Sequence, residues 1–104
     1  MSKKALAAVS GQYDLWIGGD ERPAGSDDWL AVVNPATEES LADVAMGTTG
    51  DVDAAVENAR DAFESWHRRP PKERTRILTD IAAAIREEND RLARIETLEN
   101  GKPL

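Results

Sequence analysis

The sequence predicts an α/β protein in which a short β meander, over about residues 13–45, is followed by a series of amphipathic helices. Three observations predict this class. Residues 12–47 hold four of the seven glycines together with Pro23, Pro35 and short apolar clusters, a composition typical of short strands joined by turns. After Gly50 apolar residues recur at steps of three and four, the period of a helix with one buried face. The chain has 104 residues, about the size of one small domain.

Three strands are predicted, at Tyr13–Ile17, Trp29–Val33 and Leu41–Ala45. Gly18-Gly19 after the first strand suits a tight turn, because glycine adopts positive φ without a Cβ clash. Asn34-Pro35 ends the second strand, since proline has no N–H to donate to a β ladder.

The first helix is predicted over residues 51–66. Val52, Val56, Phe63 and Trp66 lie on one face of it, whereas the other face is charged. Asp51 belongs to the first turn, where a negative charge meets the positive end of the helix dipole.

Two further helices are predicted, over residues 71–88 and 90–99. Pro70-Pro71 starts the second helix, because proline has a suitable φ at the first helical position. We expect a break at Asn89, with Asn89-Asp90 capping the third helix. Asn100-Gly101, followed by Pro103, is a helix stop.

The chain is acidic, with 20 Asp and Glu against 13 Lys and Arg and a net charge of −7. This balance argues against a nucleic-acid-binding module. It is compatible either with a protein from a high-salt cytoplasm or with an ordinary acidic surface. The apolar run near the N-terminus is too short for a signal peptide, and none approaches the length of a membrane helix. We therefore expect a soluble, cytoplasmic protein with a flexible segment at residues 1–12.

Residues able to perform chemistry are scarce. The chain has no cysteine and one histidine, His67, which excludes disulfides, Cys-ligated zinc, a thiolate nucleophile and a two-histidine metal site within it. His67 follows Trp66 at a helix end, where an interaction with the helix dipole explains it. The loop at 47–50 lacks the lysine and the glycine spacing of a phosphate loop, so we interpret it as a helix N-cap. Composition and spacing therefore identify no active site.

Several short motifs nevertheless occur in a recognisable order. They are Leu15-Trp16-Ile17-Gly18-Gly19, Val32-Val33-Asn34-Pro35-Ala36-Thr37-Glu38-Glu39, Asp51-Val52-Asp53-Ala54-Ala55-Val56, Ala62-Phe63, Trp66, Glu73-Arg74 and Leu98-Glu99-Asn100-Gly101-Lys102-Pro103-Leu104. Together they resemble the N-terminal segment of the NAD(P)-dependent aldehyde dehydrogenase superfamily, over about residues 13–104. The last motif is similar to the succinate-semialdehyde and broad-specificity branch.

The resemblance implies an oxidoreductase that oxidises aldehydes to carboxylic acids with NAD or NADP. In that family a cysteine thiolate attacks the aldehyde, hydride passes to the nicotinamide, and an activated water releases the acid. The motifs for these steps correspond to positions beyond residue 104. We therefore expect residues 13–104 to be an incomplete N-terminal part of a cofactor-binding domain. By itself the chain is expected to bind no NAD(P) and to be inactive, with the remainder of the enzyme or a homo-oligomer as its partner.

The resemblance also implies a cation site. Many family members bind Na⁺ or K⁺ with backbone carbonyls before the Asn-Pro turn and a carboxylate before the Gly-Lys-Pro motif. The matching residues here are Val32, Val33 and Glu99, and oxygen ligands of this kind suit a hard cation. The alternative is that Glu99 is a solvated or capping acid in the last helical turn.

Two positions depart from the family pattern. Glu38 stands where the family usually has glycine, and it would be strained by about 1 kcal/mol if that position needs positive φ. The residues after Gly19 are wholly polar, Asp20-Glu21-Arg22, which weakens the packing of the first hairpin.

The sequence leaves two other interpretations of the chain open. The chain could be a free-standing acidic helical interaction module that binds a partner through its apolar stripes. It could also be an unfolded remnant without activity.

Overall fold

The computed structural model of the protein describes residues 11–104. Most of the segment predicted to be flexible, residues 1–10, lies outside the described residues, and its flexibility stays a prediction. Gln12, at the end of that segment, is the first residue of a strand.

Within residues 11–104, five strands precede three helices, in agreement with the predicted α/β class. The strands are β1 (Gln12–Tyr13), β2 (Leu15–Ile17), β3 (Asp20–Arg22), β4 (Trp29–Val33) and β5 (Ser40–Ala45). The helices are α1 (Thr49–Arg68), α2 (Pro71–Glu87) and α3 (Asn89–Asn100). This succession confirms the predicted fold class.

The strands form two small sheets rather than one up-and-down series. In the first, β5 lies between β4, to which it is antiparallel, and β1, to which it is parallel. In the second, β2 and β3 form a hairpin, and Gly18 and Gly19 make its turn with φ of 68° and 85°. The predicted strand at Tyr13–Ile17 is therefore divided between the two sheets.

The sequence reasoning missed β3. Its residues, Asp20-Glu21-Arg22, are all polar and exposed. They pair with β2 through the backbone alone, so no alternation of apolar and polar side chains marks the strand.

The helix ends lie within two residues of the predicted ones: α1 is two residues longer at each end than the predicted 51–66, and the break between α2 and α3 is displaced. Pro71 is the first residue of α2. The break between α2 and α3 is at Glu88 (φ −95°, ψ 8°), one residue before the predicted position, and Asn89 is helical rather than a capping residue. The carbonyl of Glu88 still accepts a hydrogen bond from the N–H of Leu92 at 2.9 Å, so α3 begins directly after this residue. A change in the torsion angles of Glu88 alone is therefore sufficient to separate the two helices.

The apolar core is very small. Among the described residues the buried apolar side chains are Leu41, Ala42 and Leu98. The radius of gyration is 17.1 Å, whereas a compact domain of 100 residues has about 13 Å. The segment is only 18 Å thick along its shortest axis. A shape this flat leaves one face of each long helix uncovered.

No helix within residues 11–104 is both long enough and apolar enough to cross a membrane.

Candidate functional site

The predicted cation ligands lie on two elements that meet. Val32 and Val33 end strand β4, and Glu99 lies in the last turn of α3. A Cβ atom placed on Gly101 would be 3.2 Å from Cγ of Pro35. The end of α3 is therefore packed against the turn that follows β4.

The backbone of β4 is irregular at the predicted ligands. Val32 pairs with Ala42 of β5 but Val33 pairs with Ser40, so Leu41 is an extra residue between them. Such a bulge interrupts the regular ladder and turns the chain locally. The two carbonyls proposed as ligands belong to the residues at this irregularity.

Asn34 organises the turn that follows. Its side-chain Oδ1 accepts a hydrogen bond from the N–H of Ala36 at 2.9 Å. Its backbone N–H donates to the carbonyl of Glu39 (2.9 Å), and its carbonyl accepts from Glu38 (2.8 Å). Asn34 is only 1% exposed, so this turn is a fixed part of the structure. Asn34 was expected from the sequence as a strand end and as part of the family-like Asn-Pro turn, but its hydrogen bonds within the turn were not predicted.

Glu38 has the positive φ that its glycine-like position suggested, 61°. Left-handed backbone of this kind is costly for a residue with a Cβ atom. The expected strain is therefore present in the turn.

The surroundings of Glu99 favour a positive charge. The last turn of α3 contains no basic residue, although the negative end of a helix dipole favours one. Lys102, just beyond the helix, pairs with Glu96 at 3.5 Å. Nowhere in residues 11–104 do three His, Cys, Asp or Glu side chains come together to hold a metal ion. A cation here would thus depend on backbone carbonyls.

The N-terminus of α1 does not fit a nucleotide phosphate. Oδ2 of Asp51 accepts hydrogen bonds from the backbone N–H of Thr48 (2.8 Å), the N–H of Gly25 (2.9 Å) and the hydroxyl of Thr48 (3.0 Å). In return the N–H of Asp51 donates to Oγ1 of Thr48, which completes a capping box. The protein's own carboxylate thus occupies the place that an anion would take at a helix N-terminus.

Asp51 is held ionised by these contacts. The backbone N–H groups of Thr48 and Gly25, followed by the Thr48 hydroxyl and the charge of Arg22, keep the pKa of the Asp51 carboxyl below its usual range, although burial opposes the shift. The sequence analysis placed Asp51 in the first turn of the helix. The hydrogen bond from the N–H of Gly25, which is 26 residues away in the chain, was not predicted from the sequence.

The contacts of the His67 side chain are structural. Its ring is stacked on Phe63 with the centroids 4.8 Å apart. Its Nδ1–H donates to the carbonyl of Phe63 at 2.8 Å. The ring thus satisfies a carbonyl near the end of α1, as the sequence interpretation proposed, and no ion pair joins it to a carboxylate of residues 11–104.

Large apolar side chains are exposed along one face of α1 and one face of α2. Phe63 and Leu78 are each 58% exposed. These faces comprise Val52, Val56 and Phe63 on α1 and Leu78, Ile81 and Ile85 on α2. A cleft of about 460 Å³ between the helices is lined by Ala59, Phe63, Trp66 and Ile77 among others. Exposed apolar surfaces of this kind are typical of interaction sites for a protein or a membrane, or of ligand-binding grooves.

These features define a class of protein: an α/β segment with two small sheets and three helices, in which one face of α1 and one face of α2 expose large apolar side chains. Solved structures have the same architecture. Aldehyde dehydrogenase from Bacillus cereus in complex with NAD⁺ superposes with a TM-score of 0.88 at 36% identity, over 99% of this chain and 21% of that one. HpcC from Thermus thermophilus gives 0.90 at 33% identity, over 96% of this chain and 20% of that one.

The sequence comparisons agree with this class. The model of the aldehyde dehydrogenase family matches residues 22–104. A phenylacetaldehyde dehydrogenase from Pseudomonas fluorescens is 45% identical over 105 residues, which are 96% of this chain and 21% of that protein. The chain belongs to the aldehyde dehydrogenase family. It spans about a fifth of the length of this relative and of the solved structures.

Proposed function

We propose that residues 13–104 form the N-terminal part of the cofactor-binding domain of an enzyme that oxidises aldehydes with NAD or NADP. Its role there is to support the catalytic body, with the reacting groups supplied by other parts of the enzyme. The observation that carries this proposal is the pair of exposed apolar faces on α1 and α2, in a segment that matches relatives about five times its length. Burial of these faces would contribute about 25 cal/mol for each Å² of apolar surface removed from water.

The described residues agree with a supporting role. The chain contains no cysteine to act as the nucleophile. The N-terminus of α1 follows a glycine-containing loop, as a phosphate site would, but the carboxylate of Asp51 already accepts the hydrogen bonds of Gly25 and Thr48 there. No step of aldehyde oxidation is therefore assigned to this segment.

A chimera tests the proposal. The matched segment of the Pseudomonas fluorescens phenylacetaldehyde dehydrogenase is replaced by this chain, and NAD⁺ reduction with phenylacetaldehyde is measured. We expect an active chimera, whereas the 104-residue chain alone should reduce no NAD⁺. A folded but inactive chimera, or activity of the chain alone, would contradict the proposal.

The docking faces are tested by one pair of variants. Leu78→Asp places a charge on the apolar face of α2 and should prevent the chimera from assembling as an active enzyme. Thr79→Asp introduces the same charge at the neighbouring exposed position and should leave most of the activity. If the 104-residue chain is instead monomeric and unfolds cooperatively in urea, the alternative of a free-standing interaction module is favoured.

We also propose that the carbonyls of Val32 and Val33, with the carboxylate of Glu99, contribute to a site for Na⁺ or K⁺. The adjoining turn and helix end, and the lack of a basic residue in the last turn of α3, support it. In the chimera, K⁺ or Na⁺ in place of a bulky organic cation should raise the thermal midpoint. Glu99→Gln should remove that increase, and Glu57→Gln, on an exposed part of α1, should not. The resemblance to the succinate-semialdehyde and broad-specificity branch, a homo-oligomer as partner and a cytoplasmic location stay predictions from the sequence.

A further inference from the structure

Arg74, near the start of α2, carries a polar group without a partner. Within residues 11–104, its Nε is the one buried side-chain nitrogen or oxygen that has no hydrogen-bond partner. The residue as a whole is half-buried, whereas neighbouring Arg76 is exposed. A buried donor without an acceptor is unfavourable, and more so when the group is charged.

The acidic residues nearby are already used by other cations. Arg68 pairs with Glu64 at 3.3 Å, and Arg69 pairs with Glu73 at 3.9 Å. No ion pair joins Arg74 to an acidic side chain anywhere in the described part of the chain. The local network therefore leaves the charge of Arg74 uncompensated.

Arg74 also lies on the face of α2 that is open. Leu78 follows it by four residues and Ile81 by seven, so the three side chains share one face of the helix. Leu78 is 58% exposed and Ile81 50%. A protein surface that covers these apolar side chains must also come close to the guanidinium.

We propose that Arg74 anchors α2 to the body of the enzyme by pairing with a carboxylate on the surface that covers this face. The inference rests on the proposed function and adds a specific contact to it. A carboxylate is the partner that fits, because it neutralises a partly desolvated charge and accepts two parallel hydrogen bonds from the guanidinium fork. The apolar side chains supply burial, and the ion pair fixes the register of the helix.

The test uses the chimera with Arg74→Gln, Arg74→Lys and, as the matched control, Arg76→Gln. Each protein is held at a fixed elevated temperature, and the rate of irreversible unfolding is followed by intrinsic fluorescence. Loss of one partner of a buried ion pair should make Arg74→Gln unfold about tenfold faster or more. Arg74→Lys should be intermediate, because it keeps the charge but loses the fork. Arg76→Gln should stay within about twofold of the parent, as an exposed charge does.

Three results would overturn the proposal: Arg74→Gln unfolding at the parent rate, Arg76→Gln unfolding as fast as Arg74→Gln, or Arg74→Lys being as labile as Arg74→Gln. If Arg74→Gln does not accumulate as folded protein, Arg74→Lys compared with Arg76→Lys decides in the same way. An inactive parent chimera would contradict the proposed function. An active parent that is indifferent to Arg74 would contradict this inference alone.

Discussion

The carboxylate of Asp51, in the first turn of α1, accepts a hydrogen bond of 2.9 Å from the backbone N–H of Gly25, in the loop before β4. The same oxygen accepts from Thr48 at the helix N-cap. One side chain thus joins the loop, the cap and the helix. A Cβ atom on Gly25 would lie 3.1 Å from Oγ1 of Thr48, so the loop passes very close to the cap.

Asp51 should make stability depend on pH. Because hydrogen bonds lower the folded-state pKa of its carboxyl below the usual 3.8, its contribution is complete above that value. It is lost as the pH falls through the lower, folded-state pKa. In the chimera, Asp51→Asn should lower the thermal midpoint at neutral pH and reduce its decline in acid. Asp53→Asn, at an exposed position two residues further along α1, is the control. A parent and Asp51→Asn with parallel pH profiles would contradict this assignment.

Gly101 should be intolerant of a side chain for two reasons. Its φ is 79°, and a Cβ atom there would be 3.2 Å from Cγ of Pro35. Gly19 has a similar φ of 85° but open space around it. We expect Gly19→Ala to cost about 1 kcal/mol from backbone strain alone, and Gly101→Ala to cost more. Urea unfolding midpoints of the two chimeric variants measure the difference, and equal costs would show that the contact with Pro35 is not important.

Glu38 offers a stabilising substitution. Since its φ is 61°, Glu38→Gly should relieve strain and raise the free energy of unfolding by about 1 kcal/mol. Glu39→Gly, at the next position, has no such strain to relieve and should be neutral or destabilising. The comparison is made by urea unfolding of the two chimeric variants. A loss of stability in Glu38→Gly would show that the turn does not store the strain.

Leu98 should be the most sensitive apolar position. It is 1% exposed, whereas Leu104 is 85% exposed. Leu98→Ala should therefore cost about 2–5 kcal/mol through lost burial and the cavity left behind. Leu104→Ala removes a side chain that is already exposed and should change stability by less than about 0.5 kcal/mol. The two are compared by urea unfolding of the chimera, and a mild Leu98→Ala would indicate that the end of α3 repacks.

Local signals in the sequence were sufficient to predict the end of a helix or strand where a single residue controls the backbone conformation. Pro71 starts α2 and Gly101 ends α3 as predicted, because a fixed φ or a freely positive φ acts within one or two residues. The bounds of β4 were predicted correctly from an apolar run that ends at Asn34-Pro35. The family, too, was recognisable from the order of short motifs.

Contacts between distant residues could not be predicted in this way. The parallel pairing of β1 with β5 joins residues 12 and 43, and nothing in either short strand specifies its neighbour. The hydrogen bond from Gly25 to Asp51 and the packing of Gly101 on Pro35 are of the same kind. For the candidate cation site, the ligand residues came from the family resemblance, whereas the approach of the two elements that carry them came from the fold.

The sequence by itself determined the helix ends, the strand-rich first half and the absence of a cysteine nucleophile, because these follow from the residue types and their spacing. Only the tertiary structure decided which apolar side chains are covered. Burial depends on what lies opposite a residue in space, and for Leu78 and Ile81 that place is open. Whether Nε of Arg74 has a hydrogen-bond partner was likewise decided by the tertiary structure, because it depends on which atoms surround that nitrogen.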